Sequence, residues 1–95
     1  MITSKQRAYL RGLANGLQPI FQIGKEGISE TLLKQLSLAL EARELIKVSI
    51  LETALLDTKQ AANEIASQLG AECIQAIGSR FVLYKRAVKQ QNQKI

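Results

Sequence analysis

The chain has no histidine, one cysteine, one proline and only four aromatic residues among its 95. Each shortage closes a class of function. Without histidine the usual general base near neutral pH is missing, and Cys73 has no imidazole to activate it as a nucleophile. A lone cysteine rules out an internal disulfide and agrees with a reducing compartment. In Glu72-Cys73-Ile74 it reads as a small buried hydrophobe. Carboxylates without histidine or a cysteine pair make no transition-metal site. Neither the Gly-x-x-x-x-Gly-Lys-Ser/Thr phosphate loop nor the Gly-x-Gly-x-x-Gly dinucleotide loop occurs. These absences argue against an enzyme, and no cofactor is expected.

Long apolar runs are missing as well. No stretch approaches the ~18 residues of a membrane span. The start, Ile2-Thr3-Ser4-Lys5-Gln6-Arg7, has neither the apolar centre nor the cleavage pattern of a signal peptide. A cytoplasmic monomer with no membrane partner is the expectation. The aromatics Tyr9, Phe21, Phe81 and Tyr84 are too few for an array that stacks bases. Phe21 and Phe81 read as strand residues that pack, which leaves Tyr9 and Tyr84 for partial exposure. With one proline and no long polar tract, most of the chain folds as one domain, residues 1–86, around a modest core. Lys, Gln and Asn dominate residues 87–95, which read as a flexible basic and polar tail.

Positive charge is plentiful: 13 lysines and arginines against eight acids, a net +5. It is also segregated. Lys5, Arg7, Arg11 and Lys25 face only Glu26 before residue 29, and Arg80, Lys85, Arg86, Lys89 and Lys94 face no acid from residue 79 onward. The remaining seven acids sit between them, where Glu41 and Glu44 at a helix end read as a solvated face. Segregated charge favours an anionic partner. Lacking a stacking array, the chain is expected to hold phosphates and shape more than to read bases.

Local signals give an element order. Thr3 with Gln6 resembles a capping box. Gln6, Tyr9, Leu10, Leu13, Ala14 and Leu17 share one side at helical spacing, and Arg7 and Arg11 are surface neighbours beside them. Pro19 turns the chain into a first strand through Ile23. A second helix from about Glu30 to Arg43 buries Leu32, Leu33, Leu36, Ala39 and Leu40. Leu38 lies off that stripe. Ile46, Val48 and Ile50 alternate with Lys47, Ser49 and Leu51 as a half-buried strand. Asp57 with Gln60 caps a third helix, which turns Ala62, Ile65, Ala66 and Leu69 inward and closes at Gly70. Glu72 to Ile77 and Arg80 to Arg86 are strands joined through Gly78-Ser79. The class is α/β: one compact domain, order α-β-α-β-α-β-β, with a four-stranded mixed sheet packed with helices.

One turn stands out in this order. Ile23-Gly24-Lys25-Glu26-Gly27-Ile28 joins the first strand to a helix capped by Ser29. Glycine at both ends lets the backbone take positive φ and approach a ligand. The helix start beyond supplies amides and partial positive charge that attract phosphate.

Several segments together resemble the CRM domain, the chloroplast RNA splicing and ribosome maturation family. They are Ser4-Lys5-Gln6-Arg7, Leu10-Arg11-Gly12-Leu13-Ala14, Pro19-Ile20, the Ile23 to Ile28 turn, Glu44-Leu45-Ile46-Lys47-Val48 and Ile77-Gly78-Ser79-Arg80-Phe81-Val82-Leu83-Tyr84-Lys85-Arg86. The short chain looks like the stand-alone bacterial YhbY-like members. The resemblance implies a fold similar to the C-terminal domain of a translation initiation factor. It implies binding to ribosomal RNA of the large-subunit precursor and a role in assembly of that subunit. It also implies that the Gly-x-x-Gly loop, here Gly24, Lys25, Glu26 and Gly27, contacts RNA backbone. The family's basic first-helix surface maps to Lys5, Arg7 and Arg11, and Lys47, Arg80, Lys85 and Arg86 extend the candidate face. The alternative is a protein-interaction module on ribonucleoprotein particles, which would show an exposed apolar patch near Leu38 or Leu51.

Overall fold

Side-chain caps begin all three long helices. Thr3 Oγ1 accepts the Gln6 amide at 3.1 Å while Gln6 Oε1 accepts the Thr3 amide at 2.9 Å, the reciprocal pair that satisfies two orphan donors. Ser29 takes the Leu32 amide at 3.1 Å and Asp57 the Gln60 amide at 3.0 Å. The computed structural model describes residues 2–93 and 95, so Lys94 of the C-terminal cations lies outside the described residues. The elements are α1 (Ser4–Ala14), β1 (Phe21–Ile23), α2 (Glu30–Arg43), β2 (Leu45–Ile50), α3 (Thr58–Leu69), β3 (Glu72–Ile77) and β4 (Arg80–Tyr84), with 3-10 turns at Glu52–Ala54 and Gln90–Asn92. The order is the expected one, and the two 3-10 turns are additions to it. None of the described helices is long and apolar enough to cross a membrane.

The strands lie in the order β1-β2-β4-β3. β1 runs parallel to β2, and β4 is antiparallel to both its neighbours. β4 therefore enters between β2 and β3, so α3 crosses over one intervening strand. The period-2 alternation of the strands sorts their side chains onto two faces. Ile23, Ile46, Val48, Ile50, Phe81 and Leu83 face α2 and α3 and meet Leu32, Leu36, Leu40, Ala62 and Ile65 in the main core. Leu45, Ile74 and Val82 face the other way, against Leu10 and Ala14 of α1. The sheet is thus a middle layer with two helices on one side and one on the other.

Two expectations are corrected here. The apolar stripe read on α1 is turned. Leu10 and Ala14 are buried, but Leu13 is 40% exposed, while Tyr9, at 60%, has the exposure expected of it. The inward side passes through Leu10, Ala14 and Arg7, whose guanidinium bonds the edge strand β3. Nor is Glu44 part of a solvated helix end: it is 0% exposed. It occupies the residue after α2 with φ +68°, where glycine is usual. One carboxylate oxygen accepts the buried Ala87 amide at 2.7 Å and the other the Ile95 amide at 2.9 Å. Cys73 is half-buried against the main core, where burial raises its thiol pKa and keeps it neutral.

Glu41 completes this arrangement, accepting the Val88 and Lys89 amides at 2.8 and 3.1 Å and the Asn92 side-chain amide at 3.0 Å. Ala87, Val88, Lys89, Asn92 and Ile95, from the stretch read by composition as a flexible tail, thus meet two carboxylates, mostly through backbone amides. That pairing leaves no mark in residue type. The Asn92 bond first, and then the Val88 bond, hold the Glu41 carboxyl below its usual pKa. A depressed folded-state pKa contributes stability that is present above the unfolded value and lost as pH falls through the folded one. Protection of the Val88 and Lys89 amides against hydrogen exchange should therefore fall as pH drops below the ordinary glutamate range. In Glu41→Gln that dependence should flatten.

Candidate nucleic-acid interface

The Gly24 to Gly27 turn sits at the end of β1, closed by the Gly27 amide donating to the Gly24 carbonyl at 2.9 Å. The two glycines do different work. Gly27 has φ +68°, the left-handed region that costs other residues about 1–2 kcal/mol. Gly24 takes no positive φ, and a Cβ there would meet only Leu51 Cδ1 at 3.9 Å. The expectation that both glycines serve positive φ holds for Gly27 alone. Lys25 and Glu26 at the tip are exposed. A cleft of about 340 Å³ opens beside the turn, lined by Gln22, Gly24, Glu26, Gly27, Ser29, Thr31 and Gln35 among others. It lies against the start of α2, whose amides and dipole carry partial positive charge.

Gln22 links this cleft to the sheet. It pairs with Ser49, and Ser49 pairs with Arg80, so the three form a row across β1, β2 and β4. Alternation puts the row on the face that α1 shares. Lys47, two residues before Ser49, is on that face too. α1 reaches only part of it: Asn15, just past α1, lines a second cleft with Lys47, Gln75, Ile77, Arg80 and Val82. Arg11, four residues before Asn15, lies on the same flank of α1 and is exposed. The face therefore carries polar and cationic groups from Gln22, beside the turn, across Ser49, Lys47 and Arg80 to Asn15 at the end of α1.

The other predicted cations lie elsewhere. Lys85 and Arg86 follow β4 at its far end, about 17 Å along the strand from Arg80. Arg86 there donates to Gln93 Oε1 at 3.1 Å and borders a hollow shared with Tyr9, Tyr84 and Ile2. Lys5 is exposed on the side of α1 turned away from Leu10 and Ala14. Arg7 is half-buried: its guanidinium donates to the Cys73 carbonyl and lies 3.6 Å from Glu72. It ties α1 to the edge of β3, so less of its charge is offered to solvent. The two basic segments are thus each divided: Arg7 lies at the same end of the sheet as Lys85 and Arg86, whereas Lys25 is in the glycine turn and Arg80 is on the strip that leads from it. Sequence reading missed Gln22, Ser49, Asn15 and Gln75. Uncharged polar side chains carry no charge signal, and only the strand register brings them together.

A family model for the CRS1 / YhbY (CRM) domain matches residues 2–85. The chain belongs to this family. A relative from Bacillus subtilis, named "Probable RNA-binding protein YqeI", is 44% identical over 87 residues, covering 92% of this chain and 91% of its own. A Haemophilus influenzae relative named "RNA-binding protein" is 38% identical over 85 residues, covering 88% of this chain and 85% of its own. The solution structure of the hypothetical protein SAV1595 from Staphylococcus aureus superposes with a TM-score of 0.77 at 38% identity. It covers 100% of this chain and 99% of its own. The α/β fold and the CRM identity expected from the sequence both stand.

The unequal glycines generate a test within this CRM domain. Gly27→Ala should cost about 1 kcal/mol of stability. Gly24→Ala should stay within about 0.5 kcal/mol of the parent. Urea denaturation midpoints measure both, and equal losses would contradict the backbone assignment.

Proposed function

We propose that this protein is a non-catalytic RNA-binding module, a cytoplasmic monomer that binds ribosomal RNA of the large-subunit precursor and assists assembly of that subunit. The observation that carries the reading is the strip running from the Gly24 to Gly27 turn through Gln22, Ser49 and Arg80 to Lys47, in a CRM domain whose relatives are named RNA-binding proteins. The turn's backbone and the α2 start hold phosphate, and Lys25 adds charge at the tip. Lys47, Arg80 and Arg11 continue the attraction along the sheet. Lys5, Lys85 and Arg86 raise the general positive field and the encounter rate. Arg7 contributes chiefly by holding α1 in place. Glu26 faces the first cleft as the one carboxylate of the turn and weakens phosphate binding there.

Anisotropy titrations with large-subunit ribosomal RNA fragments test this reading. Log affinity should fall linearly with log salt, by about 0.7 for each phosphate neutralised on a single strand. Replacing Gly24 and Gly27 together by aspartate should cut affinity tenfold or more with an unchanged circular dichroism spectrum, because two carboxylates then occupy the phosphate site. Glu26→Gln should instead tighten binding a few-fold. Unaltered affinity in the double variant would remove the turn from the interface. Cross-linking in cells should enrich precursor ribosomal RNA over messenger RNA. The alternative protein-interaction reading has a foothold in exposed Leu51 and Leu55 at the same end of the sheet, 42% and 91% exposed. Association with ribosomal particles that survives nuclease treatment would favour it.

A further inference from the structure

The second cleft, about 290 Å³ between Asn15, Lys47, Gln75, Ile77, Arg80 and Val82, is built by an irregularity that the phosphate-binding reading does not need. The β3 register shifts between Cys73 and Gln75, so Ile74 is an extra residue against β4. A bulge of this kind turns two successive side chains to one face. Cys73 and Ala76 pack on the main core, whereas Ile74 packs under α1 and Gln75, paired with Val82, borders the cleft. Regular alternation would have pointed either Ile74 or Gln75 at the opposite face. The bulge thus places an amide side chain in a cleft whose floor is the buried Val82.

The lining is suited to a ligand of mixed character. Asn15 and Gln75 each present a donor and an acceptor, and neither side-chain amide is engaged by another described residue. Val82 and the 65% exposed Ile77 offer apolar surface. Arg80 carries a planar guanidinium that can stack on a base, and Lys47 is a point charge for phosphate. The volume falls just under the usual range for small-molecule pockets, about 300–1,000 Å³. That is room for one planar heterocycle and not for an extended cofactor. The cleft opens on the same strip as the glycine turn.

We propose that this cleft takes one unstacked nucleobase of a single-stranded RNA segment whose backbone runs along the strip, an inference that rests on the RNA-binding reading above. Asn15 and Gln75 hydrogen-bond the base edge, Ile77 and Arg80 flank its plane, and Lys47 meets the adjoining phosphate. A base stacked in a continuous A-form helix cannot enter such a cleft: the major groove is too deep and narrow for side chains, and the shallow minor groove shows only base edges and no free ring face. The proposal therefore gives this face a preference for single strands that phosphate contacts alone would not supply.

The test uses the full chain, anisotropy, and three probes: a labelled single strand, the same strand made abasic throughout, and a duplex hairpin. The Asn15→Ala, Gln75→Ala double variant should bind the single strand about tenfold more weakly than the parent. Its affinity for the abasic strand and the hairpin, its salt slope and its thermal midpoint should match the parent's. Single-strand affinity equal to the parent's overturns the cleft while leaving RNA binding intact. So does an equal loss on the abasic strand, which would make the amides backbone contacts. A parent protein that binds none of the three probes overturns the RNA-binding reading, and this inference with it.

Discussion

The antiparallel pairing of β2 with β4 is the contact on which the rest of the structure depends. Val48 opposite Phe81 and Ile46 opposite Leu83 set the centre of the main core, and all four are at most 1% exposed. The same register turns Lys47, Ser49, Arg80, Val82 and Tyr84 to the opposite face. A slip of β4 by one residue would exchange the faces of that strand, turning Arg80 inward and Phe81 out of the core. One pairing thus settles both where the core lies and where the polar strip is presented. It also separates β2 from β3, which makes β3 an edge strand free to carry a bulge.

The asymmetry of helix cover follows from that centre. α2 and α3 together cover one face, and α1 alone leaves part of the other open. Arg7 helps decide which part: its guanidinium reaches the Cys73 carbonyl and Glu72, so α1 is anchored toward the N-terminal end of β3. The face left bare is the one nearer the glycine turn. A residue that looks like part of a basic binding surface is in this way spent on placing the helix that bounds that surface. Glu44 acts in a comparable manner at the other end. Its unusual backbone angle is offset by a buried carboxylate that holds the Ala87 and Ile95 amides.

Much of this was legible in the residues because the signals are local. Thr3, Ser29 and Asp57 cap helices through neighbours three residues away, and Gly70 and Gly78 take the positive φ that ends a helix and turns a hairpin. Alternation in β2 identified its two faces. The side of α1 was only partly legible, because helical spacing does not say how wide the contact is: Leu13 shares the side of Leu10 and Ala14 and still faces solvent. Glu41 and Glu44 were misread because their partners, mostly backbone amides, lie more than forty residues away, which no side-chain pattern records. Leu38 remains exposed, and nothing in the structure explains it.

For the candidate site the division is similar. By itself the sequence determined the element order, the glycine turn between a strand and a capped helix, the segregated positive charge and the CRM resemblance. These depend on spacing within a few residues or on composition. Tertiary structure decided which cations share a face, since that is set by strand order and register between segments far apart in the chain. It placed Arg80 in the polar row that leads to the turn, with Lys47 on the same face, and Lys85, Arg86 and Arg7 at the opposite end of the sheet. It also collected Gln22, Ser49, Asn15 and Gln75 from four separate segments, side chains with no net charge to announce them until packing put them side by side.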